Sequence, residues 1–244
     1  MTAVEIRALA GQAEYEACAA LQRETWGERF TDVVPPSILQ VSQRIGGVAA
    51  GAFEEERLVG FVFGMTGTRA GRIVHWSDML AVRPEARGRG LARALKEYQR
   101  ARAREAGAVA MYWTFDPLVA RNANFNFNAL RVVADEYVVN MYGVTGSALH
   151  GGLETDRLIV RWPIDDAGAS GGPSVGADGR DQMTVEVPAD FEELLQSRPD
   201  VARRLRHESR AAFARALSSG FAISGFHLDG ASGKAWYVLR AAAR

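Results

Sequence analysis

The succession of strands and helices between residues 47 and 115 restricts the folds open to this chain more than any other feature. Three apolar segments with strand-like composition come first, at residues 47–53, 58–65 and 73–82. A helical segment at 90–105 then precedes an apolar and aromatic strand at 109–115. Hairpins place the first three strands antiparallel, whereas a strand–helix–strand unit places its two strands parallel. The sequence therefore predicts an α/β fold in which a mixed sheet carries helices on both faces.

Further elements are expected on either side of this core. They are a strand at 4–9, helices at 12–25, 35–44 and 118–134, and strands at 137–142 and 157–162. In the 35–44 helix, which two prolines open, the spacing places Ile38 and Val41 inward. The predicted order is β-α-α-β-β-β-α-β-α-β-β.

A change of composition after residue 164 divides the chain. Residues 165–182 read DDAGASGGPSVGADGRDQ, which is rich in Gly, Ser, Ala and Asp and has no apolar periodicity. Such a segment is typical of a flexible linker or a long surface loop. We therefore expect one large domain over 1–164 and a small C-terminal α/β subdomain over 183–244, with the order β-α-α-β-β.

Charge and cysteine content exclude several classes of function. Lys plus Arg and Asp plus Glu each total 29, so the formal net charge is zero and nucleic-acid binding through overall charge is not expected. Cys18 is the only cysteine, which excludes an intramolecular disulfide and cysteine-rich zinc sites. The four histidines lack metal-ligand spacing, so no metal is expected. No apolar run reaches about 18 residues, which predicts a cytoplasmic protein without a membrane span.

The segment DMLAVRPEARGRGLARAL, residues 78–95, has the composition of a phosphate-binding turn between a strand and a helix. The candidate ligands are the six residues that open the helix: Arg87, Gly88, Arg89, Gly90, Leu91 and Ala92. Glycines let successive backbone N–H groups converge, and the partial positive charge of a helix N-terminus favours a pyrophosphate. The pattern is neither a P-loop nor a dinucleotide-binding fingerprint. A solvated, arginine-rich helix start is the alternative.

Arg87, Gly90 and Ala92 fill the pattern Arg-x-x-Gly-x-Ala, which resembles the coenzyme A pyrophosphate loop of the GCN5-related N-acetyltransferase (GNAT) superfamily. The predicted element order over about residues 1–164 is also similar to that family. The resemblance implies an N-acyltransferase with acetyl-CoA as co-substrate, whose pyrophosphate lies on this loop. It further implies that backbone groups of the preceding strand bind the pantetheine arm and polarise the thioester carbonyl; these residues are Leu80, Ala81 and Val82.

A second segment, WTFDPLVARNANFNFNAL at 113–130, resembles the strand-to-helix stretch of a bacterial GNAT subgroup with the form W-T-F-D-P-L…N-A-x-F-N. The resemblance implies that an asparagine here holds the CoA arm. Asn122 is the first candidate, and Asn126, four residues on, shares its helix face. Capping and hydration of the helix are the alternative roles. The tyrosine that often follows seven residues later in the family is Ala129 here, so the general acid is not assigned.

Asp78 is the best candidate for the base that deprotonates an amine. It lies four residues before Val82, where the resemblance implies a proton acceptor. A buried aspartate with a structural hydrogen bond is the alternative. His75 is a weaker candidate, because a regular strand places it on the face opposite Asp78.

The expected reaction is direct attack by the primary amine of a small molecule on acetyl-CoA. Succinyl-CoA or a longer acyl-CoA stays open as the donor, and so does a CoA-binding sensor or assembly module without catalysis. Trp26, Phe30 and Val34 lie where the resemblance places the acceptor wall, and an ordinary core is their alternative role. The sequence does not name the acceptor, and it leaves a homodimer open.

Overall fold

The computed structural model describes residues 3–143, 151–164 and 182–241. The strands are β1 (Val4–Ala8), β2 (Val48–Glu54), β3 (Arg57–Arg69), β4 (Arg72–Val82), β5 (Ala110–Phe115), β6 (Val133–Val138), β7 (Arg157–Pro163), β8 (Gln182–Pro188), β9 (Phe221–Asp229) and β10 (Lys234–Ala241). The helices are α1 (Gly11–Trp26), α2 (Pro36–Arg44), α3 (Leu91–Glu105), α4 (Ala120–Asn124), α5 (Phe191–Ser197) and α6 (Pro199–Ser218). Through β7, this is the predicted order of elements.

The chain divides into two compact units. Of the described residues, unit 1 contains 3–113 and 163–164, and unit 2 contains 114–143, 151–162 and 182–241. Residues on both sides of the predicted linker therefore share unit 2. The linker itself lies outside the described residues apart from Gln182, and the division into a 1–164 domain and a 183–244 subdomain stays a prediction.

Unit 1 is built on a mixed sheet with the strand order β1-β2-β3-β4-β5. The pairs β1–β2, β2–β3 and β3–β4 are antiparallel. β5 pairs parallel with β4, because α3 carries the chain back to the starting edge between these two strands. The mixed sheet predicted from the strand–helix–strand unit is confirmed.

Helices cover both faces of the unit 1 sheet. Successive side chains of a strand point to opposite faces. On β3, Phe61 and Phe63 pack with Leu21 of α1 and Leu39 of α2 in a buried cluster. Val62, between them, belongs to the buried cluster that contains Leu91 and Leu95 of α3. α3 and the loop before it therefore lie on the face opposite α1 and α2.

The inward face of α2 differs from the prediction. Leu39 is fully buried, whereas Ile38 and Val41 are 46% and 49% exposed. Apolar residues at 38, 39 and 41 cannot all point the same way on a helix, and the prediction that Ile38 and Val41 point inward is wrong. The packing of Leu39 against β3 decides which face of α2 points inward.

The segment after β5 is also less regular than predicted. In place of one helix over 118–134, α4 ends at Asn124 and a π-helical turn continues to Ala129. The Leu130 N–H donates to the Phe125 carbonyl five residues back, which defines this wider turn. The following strand begins at Val133, four residues earlier than expected.

Unit 2 joins the C-terminal residues to the middle of the chain. Its strand order is β7-β6-β9-β10-β8, and all neighbours are antiparallel. The ring of Tyr237, on β10, makes edge contacts with Phe127, Phe213 and Phe226. Its hydroxyl donates to the Pro117 carbonyl at 2.6 Å. Residues 182–241 have the expected order β-α-α-β-β and form part of the unit 2 core.

Candidate active site

One extra residue in β4 sets the geometry of the candidate site. Phe63 of β3 pairs with Met79 and Gly64 pairs with Ser77, so Asp78 is left between them without a partner on β3. Such a β-bulge bends the strand and re-aims the side chain of the extra residue. Asp78, singled out from the sequence as a base, is therefore the bulged residue.

The parallel strands β4 and β5 separate directly before this bulge. Their pairing comprises His75 with Met111 and Trp76 with Tyr112, and we call the Trp76–Tyr112 pair the apex. Beyond the apex, the three predicted arm-binding residues pair with β3 on one edge; these are Leu80, Ala81 and Val82. On the edge toward β5 they have no strand partner in the described part of the chain. Their free backbone groups can pair with an extended ligand, as in strand addition.

The carboxyl of Asp78 combines access to water with a shifted pKa. Asp78 is exposed and has no hydrogen-bond partner among the described residues. The surrounding protein nevertheless disfavours the charged form, and the nearby charge of Asp32 adds to this, so the pKa of Asp78 lies above its ordinary value. A raised pKa makes a carboxylate a stronger base.

The loop before α3 presents unsatisfied N–H groups. Gly88 and Gly90 have φ angles of 75° and 76°, and a Cβ at either position would meet open space. The Ala94 N–H makes the first hydrogen bond of the helix, to the Gly90 carbonyl, and no side chain caps this terminus. The N–H groups of Leu91 and Ala92 therefore stay available, as a bound anion requires.

The arginines around this loop divide into two kinds. Arg83 forms an ion pair with Glu24, and Arg89 forms one with Glu54. Arg87 is exposed and donates from Nε to the Val82 carbonyl at 3.1 Å. Arg93 is exposed and makes no ion pair within the described residues. The free positive charge at the loop therefore comes from Arg87 and Arg93.

His75 is fully buried and lies away from solvent. Its Nδ1 is 3.0 Å from the Thr66 hydroxyl, which itself donates to the Gly46 carbonyl at 2.6 Å, so Nδ1 carries the proton. Burial is the main cause that lowers the pKa of His75, to about 4. This neutral, inaccessible ring is a poor acceptor for a substrate proton.

The two candidate asparagines lie in unit 2 in different environments. Asn122, on α4, is exposed, whereas Asn126, in the π-helical turn, is buried. The expectation that they share one face of a regular helix is wrong, because the helix widens between them.

The predicted acceptor wall packs on the core of unit 1. The rings of Trp26 and Phe30 stack with their centroids 5.6 Å apart, and Trp26 also makes an edge contact with Phe61. All three predicted residues, Trp26, Phe30 and Val34, are partly buried against the cluster that contains Phe61. They serve as core and keep part of their surface accessible.

Residues 15–125, which hold the bulge and the glycine loop, match the Acetyltransferase (GNAT) family. The chain contains a GNAT acetyltransferase domain. This part of the chain is therefore an acyl-CoA-dependent N-acyltransferase domain, as the resemblance of the loop implied. No curated protein matches the chain in sequence.

Solved structures with the GNAT fold resemble the chain over about two thirds of its length. A protein from Salmonella typhimurium, named as an acetyltransferase and solved with its cofactor acetyl-CoA, is 17% identical, with a TM-score of 0.51 over 70% of this chain and 99% of that one. Aminoglycoside 6′-acetyltransferase type Ii is 15% identical, with a TM-score of 0.51 over 66% and 97%. A chain of the NatC complex, solved with Gag peptide and CoA, is 12% identical, with a TM-score of 0.51 over 66% and 98%. At these identities the likeness establishes a shared fold.

The GNAT co-substrate fits the residues present. A pyrophosphate requires free N–H groups, which the two left-handed glycines with open space beside them and the uncapped helix N-terminus provide. A pantetheine arm requires a free strand edge, which β4 provides.

Among the described residues no group of His, Cys, Asp and Glu could hold a metal ion. No described helix is long and apolar enough to cross a membrane.

Sequence reasoning missed one buried group in the GNAT domain. Lys96 of α3 is 3% exposed and is buried on the same helix as Leu91 and Leu95, although it was not among the residues singled out from the sequence. A signal was present, since Lys96 and Lys234 are the only lysines among 29 basic residues.

Proposed function

We propose that this GNAT protein transfers an acetyl group from acetyl-CoA to the primary amine of a small molecule, with Asp78 as the proton acceptor. The bulge at Asp78 carries the proposal, because it places an accessible carboxylate of raised pKa directly beyond the apex. The free edge of Leu80–Val82 starts two residues later. A base and a carbonyl-binding edge are thus adjacent on one strand.

The energetics of amide formation favour a base over an acid. An alkylamine of pKa about 10.4 must lose a proton before attack, which costs about 4.6 kcal/mol at pH 7. A thiol of pKa about 8.5 leaves readily as thiolate. The absence of the family's tyrosine therefore removes the less important of the two proton transfers.

The roles of the remaining groups follow from their chemistry. The amine attacks the thioester carbonyl, its proton passes to Asp78 directly or through water, and CoA departs as thiolate. Backbone N–H groups of Leu80–Val82 would stabilise the oxyanion, and Arg87–Ala92 would bind the pyrophosphate. We retain Asn122 and Asn126 as further candidates for the CoA arm.

A small cationic acceptor is supported by the charges near Asp78. Asp32 lies in the connection between α1 and α2 and acts electrostatically on Asp78, and both carboxylates attract an ammonium group. Trp26, at the end of α1, and Phe30, in the same connection as Asp32, are partly accessible and offer an apolar surface. An aminoglycoside acetyltransferase shares the fold, and so does a chain solved with a peptide, so a peptide amine is the competing acceptor.

Two further parts of the proposal concern donor and context. Acetyl-CoA is preferred over succinyl-CoA and longer acyl-CoAs as the default donor of the family. The absent tyrosine is the one observation that favours a CoA-binding module without catalysis.

A cytoplasmic location agrees with the single, buried Cys18, since burial raises the pKa of its thiol to about 12 and keeps it inert.

The first test is thermal stability of the purified protein in the presence of CoA, acetyl-CoA, succinyl-CoA and longer acyl-CoAs, with ATP and NADH as controls. At about 100 times Kd a ligand adds about 2.7 kcal/mol, which raises the Tm of a chain of this size by about 5–10 °C. Release of CoA thiol with a panel of amines and peptides then identifies the acceptor. Binding of acetyl-CoA without thiol release with any amine would support the module without catalysis.

A further inference from the structure

Lys96 is a buried amine that the proposed reaction does not use. It lies on α3 and is 3% exposed. Its Nζ donates to the Ser77 hydroxyl at 2.7 Å and lies 3.8 Å from the centre of the Trp113 ring. Burial lowers the pKa of Lys96 well below its usual range, so the neutral amine is favoured far more than for an exposed lysine.

The two contacts of Lys96 mark a specific place in the GNAT domain. Ser77 follows Trp76 on β4 and Trp113 follows Tyr112 on β5, so both partners are the first residues beyond the apex. The bulged residue, Asp78, comes directly after Ser77. Lys96 therefore contacts both strands at the point where they part.

Lys96 also connects two regions that an acyl-CoA would occupy together. It is on the helix whose N-terminal loop is proposed to bind the pyrophosphate, and Ser77 is on the strand whose later residues are proposed to bind the pantetheine arm. A fixed link between Lys96 and Ser77 sets the distance between these two regions.

Stability alone does not account for a lysine at this position. Removal of a charged or polar amine from water is costly, and an apolar side chain of similar volume is commonly neutral or stabilising in its place. Arginine supplies 27 of the 29 basic residues. Because an arginine cannot lose its proton, its burial at this position would cost more free energy than the burial of a lysine. Lysine suits a site that needs a long donor without a permanent charge.

We propose that Lys96 is a positioning residue, which fixes the apex through Ser77 and thereby aligns the pyrophosphate loop with the acyl-binding edge of β4. This proposal rests on the proposed function. A ligand that spans both regions depends on the alignment, whereas a ligand that occupies only the loop does not.

The test compares Lys96→Met, Ser77→Ala and the double variant with the wild-type protein. Lys234→Met is the matched control, because Lys234 is exposed, pairs with Glu186 and lies far along the chain from the site. Calorimetry measures Kd for acetyl-CoA and for 3′-phosphoadenosine 5′-diphosphate, the nucleotide half of the co-substrate. Thermal unfolding and kcat complete the set.

We expect Lys96→Met to unfold at the same or a higher temperature than the wild type. Its Kd for acetyl-CoA should rise at least tenfold and its kcat should fall, while its Kd for the nucleotide half stays within twofold. Ser77→Ala should share these losses, and the double variant should lose no more than either single one. Lys234→Met should match the wild type throughout.

Two results would overturn the positioning role. One is unchanged acetyl-CoA affinity and kcat in both single variants. The other is a loss of affinity for both ligands in parallel with a lower Tm, which is the signature of general destabilisation. If Lys96→Met does not fold, Ser77→Ala alone decides between these results. A wild-type protein that binds neither ligand would instead contradict the proposed function.

Discussion

Arg206 donates two hydrogen bonds to the carboxylate of Asp116, from Nη1 to Oδ1 at 2.8 Å and from Nη2 to Oδ2 at 2.5 Å. The two side chains are 4% and 12% exposed, and 90 positions separate them in the chain. The Leu118 N–H donates to the same carboxylate at 2.9 Å. The aspartate of the W-T-F-D-P-L segment therefore attaches helix α6 to the turn that leads into α4.

Removal of one partner from this pair should destabilise the protein strongly. We expect Arg206→Met to lower the free energy of unfolding by about 3–5 kcal/mol, because Asp116 is left as a buried charge without its main partner. Denaturant unfolding measures the change. Arg204→Met, which breaks the exposed pair of Arg204 with Glu208, should cost only about 0.3–0.5 kcal/mol. Equal effects of the two variants would contradict the structural role of Asp116.

Asp78→Asn should reduce activity and raise stability at the same time. The variant keeps the shape of the side chain but cannot accept the proton, so kcat should fall by about 10²–10⁴-fold. Acetyl-CoA affinity should not change, because the proposed role is in chemistry. A kcat within threefold of the wild type would remove Asp78 from the mechanism.

The sign of the stability change follows from the raised pKa of Asp78. A carboxyl whose pKa is higher in the folded state favours folding below its unfolded pKa, about 3.9, and this contribution is lost as the pH rises through the folded pKa. The wild type should therefore be less stable than Asp78→Asn at pH 7, and the difference should shrink as the pH falls toward 4. Thermal unfolding across this range measures it.

Gly90→Ala should separate backbone strain from ligand binding when it is compared with Gly71→Ala. Both glycines are left-handed, with φ angles of 76° and 74°, and a Cβ at either meets open space. Each substitution should cost about 1–2 kcal/mol of stability, because an alanine is strained in this conformation. Only Gly90→Ala should also weaken acetyl-CoA binding, since it alters the N–H groups proposed to bind the pyrophosphate. Equal acetyl-CoA affinity in the two variants would contradict the loop assignment.

A chain that ends at Ile164 should fail to fold its second unit. It loses Arg206, Phe213 and Tyr237, which contact Asp116 and the aromatic core of unit 2. We expect an insoluble protein, or one that binds a hydrophobic dye and unfolds without a cooperative transition. A soluble truncated protein with a sharp transition would show instead that residues 1–164 are an independent domain, as the composition change predicts.

The sheet and the loop of the GNAT domain could be predicted because their signals are local. Gly88, Gly90 and the strand before them lie within residues 72–90, and the order of apolar segments indicates which strands pair. The position of the bulge at Asp78 could not be predicted, since it depends on how β3 and β4 align and no residue type marks it in the sequence.

Contacts between distant parts of the chain escaped prediction for a related reason. Nothing near Asp116 indicates Arg206 as its partner, and nothing near Lys96 indicates that the helix turns it toward Ser77. Likewise, the π-helical turn that contains Asn126 also contains Phe127, whose ring packs against Phe115 and the distant Tyr237. Periodicity assigns an element, and tertiary packing decides its register.

The hydrogen bond between Tyr237 and the Pro117 carbonyl joins groups that are 120 positions apart, and it has a consequence for synthesis on the ribosome. At about 5–20 residues per second, about 6–24 s pass between the translation of these two residues. Nearly all of unit 1 is translated before this interval begins, whereas β6 and β7 wait for β9 and β10. During this interval the apolar residues of β6 and β7 lack the strands that pair with them in unit 2, and slower decoding of the C-terminal codons would lengthen it.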